Sequence, residues 1–290
     1  MSLLRAELLK MHRRAMTYVL LAVLIGAMAF VILVVGLLVG ALFRSLDDGQ
    51  ATPGNFDLLP AAYSVVGEFV FGLGSLLAII YGGAIVGGEY SWGVLRNPIA
   101  RGESRTSYMM AKATAMGIVI SIGAVVAFVA GVLMVLLVAA VSRIPVGDVF
   151  AIDGLAGLAR ALMVGVPVLL ERAAIGFLVA VLMRSQVAGI VVAVILYFAE
   201  PIVAVLGTLL TRGFIGGGRG DVEASVYWTQ LLPFSVGSNV LAEGSATLIG
   251  AASQAVARVP AYVSLPVLLL YLVGALLGAA LVIRRQEIVT

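Results

Sequence analysis

Residues 15–43 contain no charged side chain, and this stretch constrains the fold more than any other part of the sequence. As a helix it is about 43 Å long at 1.5 Å per residue, which exceeds the roughly 30 Å hydrocarbon core of a bilayer. The hydrophobic region of a signal peptide has only about 7–15 residues. The stretch therefore predicts a transmembrane helix that is retained in the mature protein.

Five further apolar stretches have the length of a membrane span. They lie at about 61–88, 106–141, 155–183, 187–211 and 262–283. Across the chain 62% of the residues are hydrophobic and 11% are charged, whereas soluble domains have about 25% charged residues. We therefore predict an all-α integral membrane protein, with residues 1–290 forming a single transmembrane domain of six spans.

The distribution of basic residues predicts the orientation. Eleven Lys and Arg residues fall in the 50 residues of one set of connecting segments, against six in the 87 residues of the other set. Cytoplasmic loops are enriched in Lys and Arg, so the richer set, which holds both termini, is predicted to be cytoplasmic. The richer set comprises 1–15, 88–112, 184–186 and 284–290, and the poorer set comprises 44–61, 142–160 and 212–261.

Three segments outside the spans are also predicted to be helical. Residues 1–14 alternate apolar and charged side chains at helical spacing, which favours an amphipathic helix on the membrane surface. In the loop 89–105, Ser91 suits a helix cap and Pro98 ends a helix, so a short helix is expected across the cytoplasmic face. The external loop 212–261 carries interfacial aromatic residues and is expected to form short helices in the outer leaflet.

The loop after the second span carries a recognisable pattern. The pattern starts with a Glu at the end of the span. It continues with a Gly, a Leu-Arg pair, an Arg-Gly pair, a further Arg and an Ala-Lys pair. These positions are Glu89, Gly93, Leu95-Arg96, Arg101-Gly102, Arg105 and Ala111-Lys112. The pattern and its place in the chain resemble the permease subunits of type-two ABC exporters. The sequence departs from that pattern at Val94, where a Thr is common, and at Asn97-Pro98, which replaces a more helical pair.

The resemblance implies an ATP-driven exporter in which two permeases pair with two ATPases. A coupling helix in the loop 89–105 would then dock in a groove of the ATPase, in a bacterial or archaeal cytoplasmic membrane. The residues expected to make that contact are Glu89, Trp92, Val94, Leu95, Arg96, Arg101 and Arg105. From the sequence alone, the loop is equally well interpreted as a solvated basic segment that sets the topology.

Nucleotide binding is predicted to reside in another chain. A Walker A loop requires Gly-x4-Gly-Lys-Ser/Thr, and the two lysines, Lys10 and Lys112, follow Leu9 and Ala111. We therefore expect no cofactor and no enzymatic activity in this chain, with ATP and Mg²⁺ bound by the partner ATPase. The second permease is expected to be an identical copy, while nucleic acid is not an expected partner, because the net charge of +3 is spread over short loops.

The titratable residues argue against intramembrane enzymes. The chain has no cysteine, its one histidine is His12 in the N-terminal segment, and its six Asp residues all fall in predicted outer loops. Zinc and serine hydrolases depend on histidine at the site, and an aspartyl protease needs two neighbouring Asp carboxylates. The sequence therefore predicts neither a metal site nor a catalytic site.

Charged residues within the predicted spans are the other candidates for function. Charge at membrane depth is costly and normally faces protein or water. A three-residue connection joins the fourth and fifth spans in a hairpin, which places Arg172 within one helical turn of Glu200. We predict a buried Arg172–Glu200 ion pair with Glu171 as a spare carboxylate. The pair either fixes the register of the spans or forms a substrate or proton site, which would indicate an ion-coupled secondary transporter.

The resemblance further implies a translocation path between two permeases, lined largely by spans two and five. Carried onto this chain, it points to Glu68, Phe69, Phe71, Tyr197 and Phe198. From its position, Glu68 is equally well placed to reach external water, and aromatic residues in spans also pack against lipid or protein. A path of this composition favours an amphipathic or hydrophobic substrate, moved outward by alternating access.

Overall fold

The structure is a computed structural model that describes residues 3–46, 65–93, 104–142, 152–213, 228–249 and 259–285. Within those ranges the chain is helical and contains no strand. The α-helices are α1 (Leu3–His12), α2 (Ala15–Leu46), α3 (Gly74–Ser91), α4 (Arg105–Ser142), α5 (Ile152–Met183), α6 (Gln186–Gly213), α7 (Pro233–Ile249) and α8 (Ala261–Arg285). A π-helical segment, Glu68–Leu73, leads directly into α3.

Six helices in the described ranges are long and apolar enough to cross a bilayer: α2, α3 with its π-helical segment, α4, α5, α6 and α8. The predicted all-α membrane fold with six spans is therefore confirmed. The helices end within three residues of the predicted span ends, apart from the start of the second span, where 61–64 lies outside the described residues.

The helices α3 and α5 form the centre of the bundle. In their spans 67% and 61% of the residues are buried, against 17–33% in the other four spans. Glycines allow α3 and α5 to approach each other closely. A Cβ at Gly82 would lie 2.1 Å from the carbonyl oxygen of Ala173, and a Cβ at Gly176 would lie 2.3 Å from the carbonyl oxygen of Ile79. A larger residue at either position would force the two helices apart.

The helices α5 and α6 form the predicted antiparallel hairpin, whose turn includes Arg184 with a φ of 50°. From this turn α6 packs against α3. A Cβ at Gly83 would lie 3.1 Å from Cγ1 of Ile190, and a Cβ at Gly87 would lie 2.5 Å from Cα of Gln186. These two glycines, four residues apart on α3, therefore serve close packing within one chain.

The helix α7 lies within the predicted external loop 212–261 and packs against α5 and α8. Its first residues contact Arg172 and Glu200. Arg172 lies about three helical turns from the α5–α6 turn. The start of α7 is therefore inserted between the spans rather than resting on the end of the bundle.

Candidate functional site

Glu89 occupies the last turn of α3 and is fully buried. The helix ends two residues later, where Gly93 adopts a φ of +65° and its N–H donates to the carbonyl of Tyr90 at 3.3 Å. A left-handed residue directly after a helix is most easily a glycine. The Gly93 of the sequence pattern is therefore the residue that ends α3 and starts the loop.

The carboxylate of Glu89 binds residues on the helix at the other end of that loop. Lys112 donates to Oε1 of Glu89 at 2.7 Å, and the Tyr108 hydroxyl lies 2.7 and 2.8 Å from the two carboxylate oxygens. Both residues lie in the first turns of α4, which the Ser104 hydroxyl caps by accepting from the N–H of Ser107 at 3.1 Å. The two ends of the loop are thus joined by direct side-chain contacts.

The amphipathic helix α1 completes the site. Lys10 donates to Oε1 of Glu89 at 3.0 Å and to Glu7 at 2.9 Å, while Lys112 donates to the other oxygen of Glu7 at 2.5 Å. Each ammonium lies between two carboxylates, and each carboxylate lies between two ammoniums. We call Glu7, Lys10, Glu89, Tyr108 and Lys112 the charge cluster. Its four ionised groups sum to zero charge and tie α1, α3 and α4 together.

Burial makes this pairing obligatory. The side chains of Glu89, Lys112 and Glu7 are 0%, 1% and 5% exposed, and an unpaired charge in such a place is strongly unfavourable. Burial favours the neutral form of Glu7, but the nearby Lys112 and Lys10 outweigh it and lower the pKa of that carboxyl. Burial likewise opposes the charge of Lys10, but Glu89 and Glu7 outweigh it and raise the pKa of that ammonium. The charged forms of Glu7 and Lys10 are therefore favoured by the cluster.

Arg14, directly after α1, extends the contacts around the cluster. Its guanidinium lies 4.0 Å from Glu89, donates to the carbonyl of Ile85 at 3.3 Å, and lies 5.8 Å from the ring centre of Trp92. Trp92 is 69% exposed although it stands directly after a buried helix. An exposed tryptophan beside an arginine is a frequent composition of protein-binding sites.

The structure describes three of the seven predicted coupling residues. Glu89 is buried in the charge cluster, Trp92 is exposed beside it, and Arg105 is the first residue of α4. The other four, Val94, Leu95, Arg96 and Arg101, lie outside the described residues, as does the rest of the predicted coupling helix from residue 94 onward. Ser91, predicted to cap that helix, is instead the last residue of α3, and its hydroxyl donates to the carbonyl of Gly87 at 3.2 Å.

Sequence reasoning identified Glu89 but missed its main partners. In the structure its carboxylate binds Lys112, Lys10 and Tyr108, and the Arg14 guanidinium lies further away at 4.0 Å. The sequence contained one signal for the lysine partners. Only two of the 18 basic residues are lysines, and one of them follows Glu7 at the spacing of one helical turn.

The charges at mid-depth are arranged differently from the prediction. Arg172 donates to the carbonyls of Phe234 and Pro233, the latter at 3.4 Å, and its nearest carboxylate is Glu171 at 3.6 Å. Glu200 instead accepts from the backbone N–H groups of Phe234 at 2.9 Å and Ser235 at 2.5 Å. The direct Arg172–Glu200 pair is therefore not observed. The first turn of α7 lies against both side chains, where it accepts from the Arg172 guanidinium and donates to the Glu200 carboxylate. The Nε of Arg172 and both carboxylate oxygens of Glu171 are buried without a hydrogen-bond partner.

Aromatic rings complete the surroundings of Arg172. Its guanidinium carbon lies 4.9 Å from the ring centre of Phe234 and 5.7 Å from that of Tyr197, and the two rings pack edge to face at 5.3 Å. A desolvated guanidinium gains from such ring faces. We call Arg172, Glu200 and the first turn of α7 the mid-membrane anchor, because it fixes the start of α7 to α5 and α6.

The residues predicted to line a path do not share one surface. Phe71 is buried against Phe128, with ring centres 6.2 Å apart, and its ring fills the space that a Cβ on Gly165 would occupy. Phe71 therefore belongs to the core and is not available to a path. Glu68 is exposed, and Phe69 is half-buried in the same π-helical segment. On α6, Phe198 is 56% exposed, while Tyr197 faces the mid-membrane anchor.

The fold and the site together define a polytopic α-helical membrane protein whose buried charges join its helices at one end of the bundle and at mid-depth. The chain belongs to the ABC-2 family of transporters, since the family model described as "ABC-2 family transporter protein" matches residues 3–200. The resemblance inferred from the pattern between Glu89 and Lys112 is thereby confirmed. The protein is a membrane permease subunit of an ABC transporter, and the family implies an ABC ATPase as its partner. A comparison with curated proteins found no match.

Proposed function

We propose that this permease belongs to an ATP-driven exporter and that the charge cluster carries motion from the ATPase into the spans. The observation that carries the proposal is the contact between Glu89 and Lys112, 2.7 Å apart at opposite ends of the loop. A loop whose two ends are joined transmits a push to both attached helices. A loop with separate ends would absorb the push by bending.

The neighbours of the cluster define where that motion would go. Glu89 is on α3, which packs extensively against α5 and α6 at the centre of the bundle. Lys112 is on α4, which packs against α2 and α5. Glu7 and Lys10 add α1, so that the amphipathic helix moves with the loop. A displacement of the loop would therefore reach the central pair of helices directly.

The remaining parts of the proposal follow from the family and from the distribution of charge. The end of the bundle that carries α1 is cytoplasmic, with both termini, and a separate ATPase binds ATP and Mg²⁺ there. Two copies of this chain and two ATPases form the transporter, in the cytoplasmic membrane of a bacterium or archaeon. Within one chain 17% of the span in α6 and 18% of the span in α2 are buried, so each of these helices leaves an apolar surface for a second copy or for lipid.

The substrate proposed for this exporter is amphipathic or hydrophobic. The exposed side chains of α6 are apolar and include Ile195, Phe198 and Ile202. A path lined by such residues favours a solute with a large apolar surface. Substrate would move outward as the two copies alternate between inward-open and outward-open states.

The mid-membrane anchor argues against the alternative of an ion-coupled secondary transporter. Arg172 and Glu200 both bind backbone groups of α7, so their charges are engaged in holding a helix. An ion-coupling site needs groups that exchange their partners during the cycle. We therefore propose a structural role for Arg172 and Glu200, with Glu171 as the carboxylate 3.6 Å from the Arg172 guanidinium.

Co-purification with ABC ATPases encoded in the same genome tests the proposal. The tagged permease is expected to retain one ATPase and to show vanadate-sensitive ATP hydrolysis. Trp92→Ala and Arg96→Ala are expected to release the ATPase, because both would remove contacts of the loop. Trp228→Ala is the matched control, since the chain's other tryptophan is 48% exposed and lies before α7.

Three results would count against this function. Retention of the ATPase by both loop variants would show that the loop is not the docking element. Equal loss with Trp228→Ala would show that the effect comes from general destabilisation. ATP-driven uptake of substrate into inside-out vesicles would support export. ATP-driven uptake into right-side-out vesicles would contradict it.

A further inference from the structure

An apolar groove of about 270 Å³ opens between α2, α3 and α4. Its walls are formed almost entirely by aliphatic side chains, among them Leu21, Leu24, Val70, Leu77, Val119 and Val126. Along α2 the groove extends from Thr17 to Leu24, or about 10 Å of helix. It is therefore a slot that runs along the spans, wide enough for part of a hydrocarbon chain.

One end of the groove is polar. His12 and Tyr18 line it there, with the Tyr18 hydroxyl 2.6 Å from Nδ1 of His12. Thr17 and Tyr81 add two further hydroxyls, 3.2 Å apart. Arg13, the residue after His12, is exposed at the junction of α1 and α2. This mouth thus offers hydroxyls and an imidazole to a ligand whose apolar part lies in the groove, and the exposed Arg13 is next to it in the chain.

We propose that the groove binds an anionic phospholipid, with one acyl chain between α2 and α4 and its phosphate at the His12–Tyr18 mouth. The apolar walls fit a hydrocarbon chain, and the basic, hydroxyl-bearing mouth complements a negatively charged headgroup. Basic pockets between transmembrane helices are a general means of holding such headgroups. The lipid would contact the junction of α1 and α2, next to the charge cluster.

A glycine allows a direct test of occupancy. Gly123 lines the groove, and a Cβ built on it meets nothing within 4 Å. Gly123→Leu would therefore place a side chain in the slot without displacing protein atoms. Gly26 is the matched control, because a Cβ there also meets open space and the residue is exposed on α2 and does not line the groove.

The experiment is native mass spectrometry of the delipidated full-length chain, titrated with phosphatidylglycerol or phosphatidylcholine in mixed micelles. We expect one phosphatidylglycerol to bind more tightly than phosphatidylcholine. Gly123→Leu should weaken its binding at least about tenfold, because the acyl chain loses apolar contact. Gly26→Leu should leave it unchanged. Arg13→Ala, at an exposed position, should weaken phosphatidylglycerol about fivefold and leave phosphatidylcholine unchanged.

Equal affinity for the two lipids would overturn the assignment of an anionic headgroup. Unchanged binding in Gly123→Leu, or an equal loss in Gly26→Leu, would overturn the assignment of the groove. Because the titration involves neither the ATPase nor a transport substrate, its outcome is independent of the proposed export function. Arg13→Ala keeps the proposal testable should Gly123→Leu fail to fold.

Discussion

The charge cluster makes Lys112 the most informative single residue to change. In Lys112→Met the ammonium is lost from between Glu7 and Glu89, which it contacts at 2.5 and 2.7 Å. The methionine has a similar length and fills the same space, so the change removes charge more than volume. The two buried carboxylates then share the ammonium of Lys10, and the one further cation beside them in the described residues is the Arg14 guanidinium, 4.0 Å from Glu89.

The expected cost is about 3 kcal/mol. Removing one partner of a buried ion pair typically costs about 3–5 kcal/mol. The lower end applies here, because Lys10 remains 2.9 and 3.0 Å from the two carboxylates and the Tyr108 hydroxyl still contacts Glu89. A loss of about 3 kcal/mol lowers the folding equilibrium constant by roughly two orders of magnitude.

Reversible unfolding of the purified chain in mixed micelles, followed by tryptophan fluorescence, measures this change. Lys10→Met is the matched control, because it removes the same group from the same two carboxylates. The Lys10 side chain is 35% exposed, against 1% for Lys112. Water and salt screen its charge, so we expect a cost of about 1 kcal/mol or less.

A double-mutant cycle completes the test. Adding Glu89→Gln to Lys112→Met restores charge balance, since Glu7 and Lys10 remain as a pair. The double variant should be more stable than the sum of the single costs predicts, by about 1 kcal/mol or more. Strict additivity, or a Lys112→Met cost no larger than that of Lys10→Met, would refute the argument that buried charge balance holds the loop.

Three further predictions concern other parts of the molecule. Glu200→Ala should cost about 1–3 kcal/mol and speed hydrogen exchange in α7, because two backbone N–H groups lose their acceptor; unchanged exchange would contradict the anchor. Gly82→Ala should destabilise the bundle by at least about 1 kcal/mol, whereas Gly26→Ala should be neutral or slightly stabilising in the same unfolding assay. The lowered pKa of Glu7 gives stability that is present above the ordinary glutamate value of 4.5 and is lost as the pH falls through the folded value. The raised pKa of Lys10 gives stability that is present below pH 10.5 and is lost as the pH rises through the folded value. In a profile of stability against pH, Glu7→Gln should therefore flatten the acidic limb, and Lys10→Met should flatten the alkaline limb.

Local sequence was enough to determine the elements of this fold. The apolar stretches gave six spans, because only a helix satisfies its own backbone hydrogen bonds in hydrocarbon. The hairpin of α5 and α6 followed from a connection too short for any other arrangement. The family was recognisable from the spacing between Glu89 and Lys112.

Only the tertiary structure decided which charged groups meet. Lys112 is separated from Glu7 by 105 residues, and no local pattern states that α1 folds back onto the start of α4. The Arg172–Glu200 pairing was predicted from the hairpin alone and failed because a third element, α7, inserts its polar backbone there. The length of an apolar stretch locates a spanning helix, but the partner of a buried charge depends on how separate helices pack, and that is a property of the whole chain.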